Sequence, residues 1–262
     1  MADILSYFTR NDALSAREGM EIYEFTGVAV DFVNDCVDRF REAYVSNEKI
    51  NGILANSRTA TRKDIIERRL PKETKNEAGD FGEIMSYYLW TETWASDTNI
   101  RPMKLRWKEH PDMPSHLVDV ILLKRVDADN ADTNDKMVTI ESKVWTSRME
   151  DGHSSLTAAL EGALKDETER AAKAIPYLVL QYERDNEYGL AEQVKRFGDP
   201  VTVNFQKIHC AIAIVDSSQI NDHLANFNKA MKAANPHIPI YYLPFNDLKN
   251  VYLSMYNQLP NS

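Results

Sequence analysis

Residues 208–215 read Ile-His-Cys-Ala-Ile-Ala-Ile-Val, a run that is almost entirely apolar. A run of this length is typical of a strand that is covered on both faces. Helical and strand patterns alternate on either side of it. The predicted helices cover 28–44, 80–94, a segment from 154, 219–234 and 246–257, and the other predicted strands cover 103–108, 117–123, 137–145 and 238–243. This order predicts an α/β fold with a mixed sheet flanked by helices.

The composition is that of an ordinary folded protein, with 43% hydrophobic and 27% charged residues in 262. No apolar run approaches the roughly 20 residues that span a bilayer. The first residues lack the basic flank and apolar core of a secretory signal. Cys36 and Cys210 each lie in an apolar-periodic stretch. We therefore expect a cytoplasmic protein with two buried thiols rather than a disulfide.

The net charge is −9, which argues against binding to nucleic acid through bulk electrostatics. The most basic segment is 58–75, where seven Arg and Lys residues face three acidic ones, a local net charge of +4. This basic segment is either a solvated helix face or loop, or a surface that binds phosphate. The sequence leaves both interpretations open.

Three short segments carry residues suited to hydrolytic chemistry. Asp119 interrupts an aliphatic stretch, where a carboxylate costs free energy unless it is paired or bound to a cation. Glu141 and Lys143 are two apart on a predicted strand, so their side chains point to the same face. Glu83 lies on the predicted helix over 80–94. If the strands that carry Asp119 and Glu141 pair across the acidic loop 127–135, these side chains can meet on one side of the sheet.

Carboxylates beside one lysine have a chemical logic. Carboxylate oxygens hold Mg²⁺, which takes its remaining ligands from water and substrate phosphate. The metal activates a bound water, and the lysine can orient that water or stabilise negative charge. The spacing alone favours neither this site nor a purely structural role. In the structural role, Glu141 and Lys143 lie on a solvated strand face and Asp119 makes a buried hydrogen bond.

Other chemistries lack the required pattern. The acidic loop 127–135 has Asp132 where a calcium loop needs Gly and Val138 where it needs Glu, so we predict a solvated hairpin loop. The His and Cys residues have no zinc-ligand spacing. There is no phosphate loop and no Gly-x-Ser-x-Gly elbow.

Asp119 with Glu141-Ser142-Lys143, after a helix that carries Glu83, resembles the PD-(D/E)xK nuclease superfamily, with Val118 in place of the namesake proline. Three motifs more specifically resemble the HamA family of nuclease subunits from the Hachiman antiphage system. They are Gly-Asp-Phe-Gly-Glu at 79–83, Ser-His-Leu-Val-Asp at 115–119 and Ile-Glu-Ser-Lys at 140–143.

This resemblance implies a restriction-endonuclease-like fold and a bacterial defence effector that works with HamB, a superfamily 2 helicase. It also implies cleavage of DNA that depends on Mg²⁺ or Mn²⁺. The metal site is predicted at Asp119, Glu141 and Ser142, with Lys143 as the water-orienting or charge-stabilising group. Glu83 is expected as an auxiliary carboxylate and His116 as a supporting residue.

The predicted division is an amino-terminal helical extension over 1–77, with the basic segment, and a nuclease core over 78–262. The main alternative to a deoxyribonuclease is a non-catalytic nuclease-like module that binds and regulates a helicase. A third possibility is a ribonuclease on the same scaffold.

Overall fold

A mixed β-sheet organises the protein. The computed structural model describes residues 3–114, 117–127, 129–147, 153–198 and 203–262. Its strands are β1 (Phe8–Arg10), β2 (Glu21–Phe25), β3 (Val120–Lys124), β4 (Lys136–Trp145), β5 (Gln206–Asp216) and β6 (Ile240–Phe245). They lie in the order β1-β2-β6-β5-β4-β3. The four strands from β2 to β4 are mutually parallel, and β1 and β3 run antiparallel at the two edges.

Helices cover both faces of this sheet. They are α1 (Asp12–Glu18), α2 (Ala29–Tyr44), α3 (Asn47–Asn56), α4 (Arg62–Glu67), α5 (Thr74–Leu89), α6 (Ser155–Lys165), α7 (Ala171–Arg184), α8 (Tyr188–Lys195), α9 (Ile220–Ala225), α10 (Lys229–Ala234) and α11 (Leu248–Gln258). A π-helical turn, Trp90–Trp94, extends α5, and a second one, Asp166–Arg170, joins α6 to α7. None of the described helices is long and apolar enough to cross a membrane.

The central strand β5 is buried on both faces, as its apolar run predicts. Cys210, Ile212 and Ile214 face a core shared with α2, α5 and α11. Alternate residues of the same strand, such as Ala213, face a second core shared with α6. Both cysteines are buried and free, as predicted. The α/β architecture with a mixed sheet is therefore confirmed.

Two predicted strands need correction. Residues 103–108 alternate in polarity, but Lys104–Trp107 form a 3₁₀ turn, in which the side chain of Lys104 is buried. The strand predicted over 117–123 is β3, which starts only at Val120 and lies at the edge of the sheet. It is aliphatic because α7 and α8 cover one of its faces and α5 covers the other. Asp119 therefore precedes the strand instead of interrupting it.

The amino-terminal segment also differs from a purely helical extension. β2 pairs in parallel with β6, and β1 pairs with β2, so this segment completes one edge of the sheet. The loop 127–135 does connect the antiparallel pair β3 and β4, as predicted. Within it, the fully buried Asp135 accepts hydrogen bonds from the N–H groups of Val126 and Asp132 and pairs with Arg196.

Candidate active site

The Glu141-Ser142-Lys143 segment lies in β4 and alternates between the two faces, as predicted. Glu141 Oε1 accepts a hydrogen bond of 2.5 Å from Lys143 Nζ, so these two side chains share one face. Glu141 is only 3% exposed. Ser142 points the other way, towards Gly82 of α5. The Ser142 hydroxyl and the Glu141 carboxylate therefore lie on opposite sides of the strand.

Asp119 lies beside Glu141 because of the β3–β4 register. Val120 pairs with Ile140, which places the residue before β3 next to Glu141. The N–H of Ser142 donates a hydrogen bond of 2.9 Å to Asp119 Oδ2. Burial, followed by the negative charge of Glu141, raises the pKa of Asp119 to about 6. The two carboxylates that the sequence singled out therefore share one electrostatic environment.

Lys143 is held in its charged form by its neighbours. Burial alone lowers the pKa of this ammonium, but the carboxylates of Asp119 and Glu141 outweigh burial and raise it above the usual value. A lysine in this state is a fixed positive charge. It can stabilise negative charge close to both carboxylates.

Sequence reasoning missed Lys104, which is buried beneath the segment that carries Asp119. Its Nζ donates to the carbonyl oxygen of Val118 and lies 3.4 Å from that of Asp119. Burial lowers the pKa of Lys104, against the opposing effect of four carboxylates, of which Glu83 and Asp119 contribute most. The available signal was one lysine inside an otherwise amphipathic stretch, and only the fold shows that it faces inward.

The backbone next to Asp119 is constrained as well. Leu117 has φ of 66°, in the left-handed region that branched and bulky side chains rarely adopt. Val118, which follows it, is fully buried. Strain of this kind persists where surrounding contacts over-determine a conformation. Here the bond from Lys104 to the Val118 carbonyl is such a contact.

Glu83 reaches the site from α5. Together with Asp119 and Lys104 it lines a shallow cleft at the β3 edge of the sheet. The structure therefore brings all four predicted charged residues, Asp119, Glu141, Lys143 and Glu83, to one end of the β3–β4 pair. The fifth, His116, lies outside the described residues.

The rest of the 79–83 motif has a structural explanation. A Cβ on Gly82 would lie 2.5 Å from Val144 Cγ2 and 2.6 Å from Ser142 Oγ, so only glycine lets α5 pack this closely on β4. Asp80 is 4% exposed and pairs with Lys108 at 2.5 Å, while the Tyr44 hydroxyl donates to its second oxygen at 2.9 Å. These contacts fix the helix that carries Glu83.

A second missed group is the pair Arg170 and Asp166, in the π-helical turn after α6. Arg170 Nη2 donates to Glu141 Oε2 at 2.7 Å, and its Nε lies 2.7 Å from Asp166 Oδ1. Asp166 is fully buried. Burial, opposed by Arg170 and reinforced by Glu141 and Asp119, raises the pKa of Asp166 to about 8. π turns are frequent at functional sites, but their position cannot be read from helical periodicity.

α6 crosses directly over Glu141. A Cβ on Gly162 would collide with the Glu141 side chain, and the Gly162 carbonyl accepts a hydrogen bond from Arg170. The glycine thus permits the close approach that brings the π turn and its arginine to the carboxylate.

The contacts of Asp119 and Glu141 decide whether a divalent metal fits this site. Carboxylates are the ligands that Mg²⁺ prefers, and their mutual repulsion at this site favours a bound cation. Mg²⁺ needs only one or two protein carboxylates besides water and phosphate, so Asp119 and Glu141 fit such an ion, although both oxygens of Glu141 are bonded to Lys143 and Arg170 in this structure. Among the described residues, no group of three His, Cys, Asp or Glu side chains is placed to hold a metal ion. Lysine and arginine nitrogens thus lie where a cation would contact Glu141.

The basic segment lies on α4 and on the turn that leads to α5. Arg62 donates to the main-chain oxygen of Ser262, and Lys63 pairs with Glu67. Five other cations are exposed and form no ion pair with the described part of the chain: Arg58, Arg68, Arg69, Lys72 and Lys75. Asp112 accepts from the N–H groups of Lys72 and Glu73 at 2.7 and 3.2 Å, which ties this turn to the segment that leads to Asp119.

The mixed six-stranded sheet, flanked by helices and carrying these carboxylates at one end of β3 and β4, defines a nuclease-like α/β fold. A search of curated proteins returns no match. The family model described as HamA matches residues 9–259 of the 262. The chain therefore belongs to the HamA family, whose members are associated with Hachiman antiphage defence.

Proposed function

We propose that this protein is the nuclease subunit of a Hachiman defence system and hydrolyses phosphodiester bonds in DNA. The observation that carries the proposal is the meeting of Asp119, Glu141 and Lys143 at one end of the β3–β4 pair. Two carboxylates beside a charged lysine suit a reaction in which water attacks an anionic phosphorus centre.

The proposed roles follow from position. Asp119 and Glu141 are the carboxylates that would hold Mg²⁺ or Mn²⁺ once the ion pairs of Glu141 open. Because the Ser142 hydroxyl faces α5, a ligand role for Ser142 would fall to its main chain, whose N–H already positions Asp119. Bound Mg²⁺ supplies charge neutralisation on phosphate and a more acidic water. Glu83, across the cleft, is an auxiliary carboxylate.

Lys143 supplies a fixed positive charge. Its ammonium stays protonated beside Asp119 and Glu141, so it can donate a hydrogen bond to a phosphate oxygen or to the attacking water. Neutralising charge that develops on the phosphate lowers the barrier to hydrolysis. The same ammonium cannot act as a general base, because it carries no free electron pair while protonated.

Access to DNA is proposed to depend on two features. The chain carries a net charge of −9, so long-range attraction to nucleic acid is absent. The five exposed, unpaired cations of the basic segment are proposed to contact the phosphate backbone. A superfamily 2 helicase, HamB, is the proposed partner that delivers DNA and licenses cleavage in the bacterial cytoplasm.

The alternative is a non-catalytic nuclease-like module that binds and regulates a helicase. One observation favours it: Glu141 is already paired with two side-chain cations. In that case the charged cluster would stabilise the fold and take no part in chemistry.

The decisive experiment is co-expression with the partner helicase, followed by DNA degradation with and without Mg²⁺ and ATP. Glu141→Gln and Lys143→Ala should abolish degradation, while Glu161→Gln on the exposed face of α6 and the exposed Lys207→Ala should retain it. Full degradation by both site variants would exclude the nuclease and favour the regulatory module. Offering RNA to the same complex separates a ribonuclease from a deoxyribonuclease.

A further inference from the structure

We propose that Arg170 is an internal counter-ion that occupies Glu141 in the resting protein and must leave before a divalent cation can bind there. This inference rests on the proposed function, because it concerns how the nuclease site is kept inactive. It assigns a regulatory role to a residue outside the predicted site.

Both carboxylate oxygens of Glu141 are occupied by side-chain cations. Arg170 donates a hydrogen bond of 2.7 Å to Oε2, and Lys143 donates one of 2.5 Å to Oε1. Each oxygen of this buried carboxylate is therefore already neutralised. A buried carboxylate needs such pairing, since an unpaired one is strongly destabilising. A cation can therefore bind Glu141 only by exchange with one of these partners. Arg170 is the partner that comes from another element.

Asp166 gives Arg170 a second carboxylate to pair with. Arg170 Nε lies 2.7 Å from Asp166 Oδ1, yet neither Asp166 oxygen accepts a hydrogen bond from a described residue. This carboxylate is fully buried. If Arg170 turned onto Asp166, it would keep an ion pair and satisfy these oxygens while freeing Glu141 Oε2. The exchange thus avoids leaving a buried charge alone.

Arg170 lies on a segment whose movement would displace it from Glu141. It lies at the end of the π-helical turn between α6 and α7, and Gly162 of α6 accepts a hydrogen bond from it. A partner or substrate that shifts this turn would move the guanidinium relative to β4. The site would then be converted from an internal ion pair to a cation site by displacement of one side chain.

The test measures Mn²⁺ binding to the isolated full-length protein by calorimetry. Arg170→Gln should bind Mn²⁺ about tenfold more tightly than the wild type, because a competing charge is removed from Glu141. Lys173→Gln makes the same charge change at an exposed position one turn away and should leave the affinity unchanged. Arg170→Lys keeps the charge but cannot bridge both carboxylates, so it should also bind more tightly than the wild type.

Equal affinity in the wild type and both Arg170 variants would overturn the proposal, as would undetectable Mn²⁺ binding in all of them. Circular dichroism confirms that each variant is folded. The readout is independent of DNA cleavage, so a failure here leaves the nuclease proposal to be decided by the Glu141 and Lys143 variants of the complex.

Discussion

The N–H of Ser142 donates a hydrogen bond of 2.9 Å to Asp119 Oδ2, so the main chain of β4 holds the carboxylate that precedes β3. This bond lets Asp119 approach Glu141 despite their like charges. Lys104 holds the same segment from below through the Val118 carbonyl. The arrangement therefore depends on the pairing of β3 with β4 as much as on the side chains themselves.

Gly162→Ala should destabilise the protein by about 1–3 kcal/mol, because the added methyl group collides with Glu141, which two ion pairs hold in place. Gly52→Ala, in α3 with open space around the site, should be neutral or slightly stabilising. Urea unfolding measures both. In a Glu141→Ala background the cost of Gly162→Ala should fall, and an unchanged cost would show that the collision lies elsewhere.

Lys104→Met should lower the free energy of unfolding by about 1–3 kcal/mol, since the Val118 carbonyl loses its buried hydrogen-bond donor and the nearby carboxylates lose a cation. The side chain is only 5% exposed, so solvent cannot replace the lost charge. Lys49→Met, at an exposed site on α3, should change stability by less than about 0.5 kcal/mol. Chemical denaturation of the two variants gives the comparison, and similar values would mean that Lys104 is not part of the charged cluster.

We expect the buried His223 to lower the free energy of unfolding in mild acid. Burial lowers the pKa of this imidazole below its usual value of about 6.5, and its Nδ1 accepts a hydrogen bond from the N–H of Ser155. The unfolded state therefore binds the proton more readily, so stability present above pH 6.5 is lost as the pH falls through the lowered pKa.

His223→Asn keeps an acceptor near Nδ1 but does not titrate. Between pH 7 and pH 5 the wild type should lose about 1 kcal/mol more than this variant. Urea unfolding at both pH values supplies the difference, in which contributions of other groups cancel. The exposed His153→Gln should behave as the wild type does, and parallel pH profiles for all three proteins would contradict the assignment.

Replacing the five exposed cations of the basic segment with Gln should weaken DNA binding and make it less dependent on salt, since each phosphate contact contributes about 0.9 to the slope. Fluorescence anisotropy of labelled duplex DNA with the assembled complex measures both quantities. A matched variant replaces Arg17, Lys49, Lys173, Lys207 and Lys249, which are exposed elsewhere. If both variants lose the same affinity, net charge rather than this surface is responsible.

The sequence by itself determined the centre of the sheet and four of the site's charges. The apolar run of β5 can be stable only between two cores, and the alternation in β4 places Glu141 and Lys143 on one face. Both are local periodicities, so they follow directly from the residues. Asp119 stood out as an acid beside aliphatic residues and Glu83 as a carboxylate on the preceding helix. Motif resemblance then led to the HamA family, which the match over 9–259 confirms.

Only the tertiary structure decided how the site is neutralised. Polarity alternation over 103–108 predicted a strand, yet burial of Lys104 beneath Asp119 is set by a 3₁₀ turn and by contacts 14 residues away. Arg170 reaches Glu141 because Gly162 allows a close crossing and a π turn changes the helical phase. Ion pairs between distant segments depend on how the backbone folds, and no local pattern in the chain encodes that geometry.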